Sequence, residues 1–386
     1  MRKKATDSIF IIHLLPLELY PPVMNLVDYL SKNYLGKIIV LTTHKSEENS
    51  LSLYKNNSSN VLIKRKSLSG TNPFVRMMNY TLFYLNGLSL LIRTKPKAVL
   101  YFESLSSWPA LIYKKIMGER IKILVHCHEY TDPGIKSEET SLARQLHKIE
   151  KKMYPRFSWI SHTNPVRLQM FKDDNGLNKL PKSIFHVMPN YPSNSWMQKE
   201  TSHCNKLKQK KLVFVGSLGY DNMYLQEIVD WVGKHSPDFS LDVYSYNIDL
   251  KAKEFLGNCR LENVRFCGGC DYDTLPEILR NYDIGIDIYK PYSLNHVHGV
   301  SNKVFEYLAC GLDVWFSSDK ELAHDYVKED IFPKIISVNF KDLDSFDYQS
   351  AVSRAGLQYQ QSNFFYENIY PEILEHIIEH EIKIDI

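Results

Sequence analysis

Apolar residues fall along this chain in short continuous runs rather than in strict alternation. Ile9-Phe-Ile-Ile-His-Leu-Leu15 is the first run, and Lys37–Leu41, Val61–Ile63, Ala98–Phe102 and Ile121–Val125 follow it. Runs of this kind predict strands buried on both faces. The stretches between them carry apolar residues at helical spacing. Pro21-Pro22 opens a helix to about Tyr34, and Pro73 opens a long one to about Ile92. Pro109–Met117 is a third, with others near Glu138–Met153 and Asn164–Asp174 and strands near Trp159 and Phe185. Proline suits a first helical turn because its missing N–H is not needed there. The alternation resumes with strands at Lys211–Gly216, Leu241–Ser245, Val264–Phe266, Asp283–Asp287 and Asp313–Phe316, and a helix at Met223–Gly233. Strands alternating with helices predict βαβ units and parallel sheets, an α/β fold.

The pattern breaks once. Pro189-Asn-Tyr-Pro192 closes a first domain, 1–192, and the polar stretch 193–210 reads as a linker to a second, 211–360. The tail, 361–386, is a terminal helical segment in which Pro371 marks a kink or a restart. A chain of 386 residues agrees with two domains. No apolar run approaches the roughly 20 residues needed to cross a bilayer. Arg2-Lys3-Lys4 before Ile9 faintly resembles a signal peptide, but the run contains His13 and stops at Pro16, so a strand is the better reading. The six Cys show no disulfide framework, and Cys267-Gly-Gly-Cys270 is half of a zinc site without its second pair. Reduced cytosolic thiols are expected.

Charge is divided unevenly. Residues 1–200 carry 29 Lys and Arg against 15 Asp and Glu, a balance of +14, and the remainder carry 18 against 29, a balance of −11. The basic half has clusters at Lys64–Lys66, Lys114–Lys115 and Lys148–Arg156. An anionic partner is implied. No nucleic-acid-binding motif is present, which leaves two readings: an acidic membrane surface, or a basic domain that merely complements the acidic half of the same chain.

The chemistry concentrates in His298–Gly311. Val304, Phe305, Leu308 and Ala309 recur at helical spacing from about Asn302, after a Gly299-Val300-Ser301 turn. A helix start presents unpaired amides and a positive dipole end to a phosphate. Lys303 adds a cation, and Glu306, one turn on, can accept two hydrogen bonds from a ribose diol. Gly216-Ser217-Leu218-Gly219 ends a strand and lets backbone approach a ligand. His126, His128 and Glu129 follow another strand directly, where open α/β sheets bind ligands. Asp283–Asp287 reads as a strand despite its resemblance to an Asp-x-Asp metal motif.

The run Ser301-Asn-Lys-Val-Phe-Glu-Tyr-Leu-Ala-Cys-Gly311 resembles the sugar-nucleotide motif of GT-B glycosyltransferases, especially the retaining family four. That resemblance implies two Rossmann-like domains facing a central cleft, with a C-terminal helix crossing back to the first. It implies a nucleoside diphosphate sugar as donor substrate, with no cofactor and no metal. Glu306 would hold the ribose beside Asn302. Lys303 and the amides of Gly299, Val300 and Ser301 would meet the diphosphate, near Gly216 and Ser217. His128, and less directly Glu129, would face the transferred sugar. His298 stands where the family often has a further Glu. Asp221 and Asn222 stand where it often has an Arg and a Lys that hold phosphate. The acceptor would be a saccharide or a lipid-linked glycan, and the protein cytoplasmic, at the inner face of the membrane. Two rivals share the fold: a nucleotide-sugar epimerase recruiting His298 as acid or base, and a non-catalytic sugar-nucleotide-binding subunit.

Overall fold

The computed structural model describes residues 7–44, 51–68, 70, 72–131, 141–198 and 209–379. The chain divides into two compact units. The first takes in Met1–Glu48, Leu53–Asn190 and Tyr366–Ile386, and the second Asn49–Ser52 and Tyr191–Phe365.

The first unit is a seven-stranded parallel sheet. Its strands are β1 (Ser8–His13), β2 (Lys37–Thr43), β3 (Val61–Lys66), β4 (Ala98–Phe102), β5 (Lys122–Cys127), β6 (Trp159–His162) and β7 (Phe185–Val187). They lie in the order β3-β2-β1-β4-β5-β6-β7. The crossovers carry α1 (Pro21–Asn33), α2 (Pro73–Thr94), α3 (Trp108–Met117), α4 (Ser141–Lys151) and α5 (Pro165–Asn175). β1, β4 and β6 are buried at every position, β4 as its unbroken apolar run requires. Asn164 caps α5 by accepting from the Arg167 amide at 2.8 Å, and Gly176 closes it in a left-handed conformation.

The second unit repeats the plan with six parallel strands. These are β8 (Lys210–Val215), β9 (Phe239–Tyr244), β10 (Val264–Gly268), β11 (Ile284–Asp287), β12 (Asp313–Ser317) and β13 (Ile335–Val338), in the order β10-β9-β8-β11-β12-β13. Its helices are α6 (Leu225–Lys234), α7 (Leu250–Asn258), α8 (Leu275–Leu279), α9 (Leu294–Val297), α10 (Asn302–Ala309) and α11 (Tyr348–Val352). Of the stretch read as a linker, 193–198 is described: Ser193 caps a single turn at Asn194–Trp196, and Trp196 is buried in this unit's core. Residues 199–208 lie outside the described residues.

The last described helix, α12 (Tyr370–Ile378), belongs to the first unit. Pro371 stands in its first turn, so the proline starts this helix rather than kinking a longer one. The Tyr370 hydroxyl donates to the Pro22 carbonyl at 3.2 Å, and its ring meets Tyr29 of α1 edge-on. The expected extension of the tail to 386 falls partly on residues outside the described ones.

In each sheet the strand order reverses once, between β1 and β4 and between β8 and β11. At such a reversal the crossovers on either side leave by opposite faces, which opens a crevice at the carboxyl ends of the strands. The sequence candidates collect at these two places, one in each unit.

Candidate functional site

In the second unit the site is built around α10. Ser301 caps the helix, its hydroxyl accepting from the Lys303 amide at 3.3 Å. The amides of Gly299, Val300 and Ser301 have no acceptor among the described residues. Val300 packs against the core, and Gly299 before it is buried. Tyr307 seats the helix. Its fully buried ring lies flat on β11 over Gly285, where an added Cβ would come within 2.1 Å of the ring. The Tyr307 hydroxyl accepts from the Val215 amide at 3.0 Å, tying α10 to the last residue of β8.

Glu306 is a buried helix carboxylate. It is 1% exposed. One carboxylate oxygen accepts from Asn302 Nδ2 at 2.7 Å and the other from Lys303 Nζ at 2.6 Å. Two anchors hold the carboxylate while lone pairs on each oxygen stay available to further donors. The loop after β10 borders the same spot, with the Tyr272 ring centroid 6.0 Å from Lys303 Nζ. Burial pushes the Cys270 thiol up to about 11, the nearby Lys303 ammonium opposing it. Burial and the Glu306 charge raise the Tyr246 phenol. Cys267 and Cys270 are free thiols, and no third metal-ligating side chain joins them among the described residues.

Gly216 follows β8 at φ +154, a backbone conformation suited to glycine, and its amide donates to the Tyr244 carbonyl at 3.0 Å. Ser217 accepts from Asn247 Nδ2 at 2.8 Å, and its carbonyl accepts from the Tyr289 hydroxyl at 3.1 Å. Asp221, in place of the expected cation, pairs with Lys251 at 2.5 Å on the surface. His298 lies just before α10, 3.6 Å from Glu321.

Sequence reasoning missed one pair here. Lys320, after β12, places Nζ 2.6 Å from Asp287 Oδ2 at the end of β11, both side chains almost fully buried. Lys320 Nζ also lies 5.1 Å from the Tyr289 ring centroid, and Tyr289 contacts Ser217. The other Asp287 oxygen is buried with no hydrogen-bond partner among the described residues. The only sequence signal for the pair is that Asp287 ends one apolar strand and Lys320 follows another.

In the first unit four imidazoles gather at the ends of β1, β5 and β6: His13, His126, His128 and His162. His128 stacks on Phe102 with centroids 5.1 Å apart, and His126 meets it edge-on at 4.7 Å. His13 Nδ1 lies 2.7 Å from the Leu15 carbonyl, and His126 Nδ1 2.9 Å from Ser161 Oγ. Both ring nitrogens of His128 lack a hydrogen-bond partner within bonding distance, although Asn190 stands near. Burial lowers His13 and His162 to about 3 and His128 to about 4, and pushes His126 well below its usual value. At neutral pH these rings are uncharged.

Glu103 is the residue sequence reasoning missed in this unit. It follows β4 at φ +59, a conformation that carries strain in any residue but glycine. Its Oε1 accepts from the His128 amide at 2.6 Å and the Glu129 amide at 3.3 Å, which shapes the His128-Glu129 turn. Burial, then the Glu129 charge, raises the Glu103 carboxyl to about 8. Arg167 braces the same turn by donating to the His128 carbonyl at 3.1 Å. The strand-end rule that singles out His128 applies equally to Glu103, which directly follows Ala98–Phe102.

The opposed shifts set a pH dependence. Each buried His is harder to protonate folded than unfolded, so its contribution is complete above about 6.5 and is lost as pH falls toward 3–4. Glu103 binds its proton more tightly folded, so its contribution is complete below about 4.5 and is lost as pH rises through 8. Between those limits four imidazoles outweigh one carboxyl. Stability of the first unit is therefore expected to peak near pH 6.5, falling steeply on the acid side and gently toward 8. Denaturant titrations from pH 4 to 9 read this, and Glu103→Gln should remove the alkaline decline. An undiminished alkaline decline in that variant would assign it to another group.

No family model matches the sequence, and no curated protein matches it. Solved structures do match. The sucrose-phosphate synthase of Thermosynechococcus elongatus superposes with a TM-score of 0.64 at 12% identity, over 96% of this chain and 98% of that one. Anabaena HepE in complex with UDP and glucose gives 0.62 at 13% identity, over 95% and 98%. The UDP-GlcNAc 2-epimerase of Methanocaldococcus jannaschii gives 0.54 at 10% identity, over 95% and 99%. Two Rossmann-like units in series, spanning nearly the whole of these chains, give this protein the GT-B fold.

Proposed function

We propose that this protein is a glycosyltransferase that moves a sugar from a nucleoside diphosphate donor to an acceptor saccharide. The buried Asn302–Glu306–Lys303 cluster at the start of α10 carries the reading. Glu306 holds the ribose diol through its free lone pairs. Lys303 and the amides of Gly299, Val300 and Ser301 take the diphosphate. Lys320 supplies the second cation, in place of the Arg and Lys absent after Gly219, and balances charge as the nucleotide departs. The first unit holds the acceptor, with neutral His128 hydrogen-bonding sugar hydroxyls and Glu129 at the rim of that turn. His298 lies next to the donor turn and orients the sugar. Transfer proceeds with retention and without a bound metal. A lipid-linked or surface-polysaccharide acceptor suits the basic first half of the chain, and the work is done at the cytoplasmic face of the membrane.

The epimerase of the same fold supports a second reading, isomerisation of a nucleotide sugar with His298 as the proton-transfer group. In this chain His298 sits 3.6 Å from exposed Glu321. A panel of nucleotide sugars screened by thermal shift tests the shared premise. The cognate donor at 100 times its dissociation constant should stabilise the protein by about 2.7 kcal/mol. No shift with any nucleotide sugar or nucleoside diphosphate would sink both readings.

A further inference from the structure

The basic clusters that mark the first unit in the sequence are partly consumed inside it. Lys114 is buried and pairs with Glu119, Arg156 pairs with the same Glu119, and Arg65 is bound to buried Glu18. The surface that stands out is α2. Its inner face, with Phe83, Tyr84, Gly87 and Leu91, is buried, and Gly87 lies close enough to Pro109 that a Cβ would come within 3.0 Å of it. Its outer face should therefore be polar. Instead Phe74, Met77, Met78, Leu82, Leu85 and Ile92 stand there, each 45–66% exposed. Positions 74, 78, 85 and 92 recur at 4 and 7, so the residues form one stripe along the helix. The only charged residues of α2 are Arg76 and Arg93. Between Glu48 and Glu103 the chain has eight Lys and Arg and no acidic residue. Beside the stripe lies a groove of about 390 Å³ in which Lys66, Ser67, Asn79 and Asn86 meet Leu82 and Leu85.

We propose that α2 is a membrane-docking element, lying in the plane of an anionic bilayer with its apolar stripe among the acyl chains and the surrounding cations at the head groups. An apolar face flanked by cations and free of carboxylates is what such a surface selects. A second copy of the chain fits less well. A symmetric dimer through α2 would set a helix whose only charges are Arg76 and Arg93 against its own copy, with no carboxylate of the helix to answer them. This goes beyond the transferase reading by naming the surface and the means of attachment, and it stands without that reading. No helix of the described residues is long and apolar enough to cross a membrane, so the attachment is peripheral.

The test is co-sedimentation of the full chain with vesicles of phosphatidylcholine alone and of equal parts phosphatidylcholine and phosphatidylglycerol, at low and high salt. The comparison variant is Met77→Glu/Leu85→Glu, at two exposed positions that leave the core intact. Wild-type protein should bind the anionic vesicles and retain part of that binding at high salt, because apolar insertion is not screened. The double variant should bind roughly tenfold less or weaker still, with unchanged thermal stability. Absence of wild-type binding to anionic vesicles, or equal binding by the variant, overturns the proposal. So does a concentration-dependent dimer that the double substitution dissolves while vesicles capture nothing. Thermal shift with nucleotide sugars is run on the same samples. A chain that binds vesicles and no nucleotide would sink the transferase reading alone.

Discussion

Glu306→Ala is expected to weaken nucleoside diphosphate sugar binding by about 1.5–3 kcal/mol, the loss of hydrogen bonds to a charged group. It should also destabilise the second unit. The carboxylate is the partner of Lys303, whose side chain is only 16% exposed, and its removal strands that ammonium. Calorimetric titration separates the two effects, since affinity is measured on protein that is still folded. Lys303→Ala provides the contrast: nucleoside diphosphate should bind weakly and nucleoside alone as before. Equal losses for the two ligands would remove Lys303 from the phosphate. Unchanged donor affinity in folded Glu306→Ala would remove Glu306 from the site.

A larger structural effect is expected at Gly285. Its Cβ position lies 2.1 Å from one atom of the Tyr307 ring and 2.2 Å from another, deep inside the unit. Neither β11 nor the ring has free space to yield. Gly285→Ala should destabilise by about 3 kcal/mol, at the upper end of ordinary overpacking. It should also lower donor affinity, because Tyr307 carries α10 and its hydroxyl holds the Val215 amide next to Gly216. Urea unfolding with and without donor reads both. Tyr307→Leu added to Gly285→Ala makes room for the methyl group and should recover part of the stability. A Gly285→Ala protein as stable as wild type would mean that the ring does not rest on β11.

Much of the fold is legible because parallel strands buried on both faces leave unbroken apolar runs. Ala98–Phe102 is β4 residue for residue, and the proline-led helices begin at Pro21 and Pro73 as expected. β13 (Ile335–Val338) and α7 (Leu250–Asn258) went unread, being short elements among mixed polar residues. The site was legible where one helix supplies it, as α10 does. Asn302, Lys303 and Glu306 meet because three and four residues make one helical turn. Burial of Glu306 was hidden, because Tyr246 and Cys270, whose titrations feel its charge, come from loops after β9 and β10. Asp287 and Lys320 are 33 positions apart and meet only because β11 pairs with β12. Glu103 and the His128 amide meet through the pairing of β4 with β5. The basic clusters misled for the opposite reason: Lys114 and Arg65 look exposed in sequence and turn inward to buried partners.

Product analysis separates transfer from its rivals most directly. The full chain is incubated with the nucleotide sugar that stabilises it, with and without a pool of lipid-linked saccharides, and the sugar is followed by mass spectrometry and NMR. The expected result is release of nucleoside diphosphate together with a new glycosidic bond on the acceptor, strongly reduced in Glu306→Ala at subsaturating donor. Conversion of the donor into an epimeric nucleotide sugar in the absence of any acceptor would contradict the account, as would donor binding without turnover on every acceptor offered.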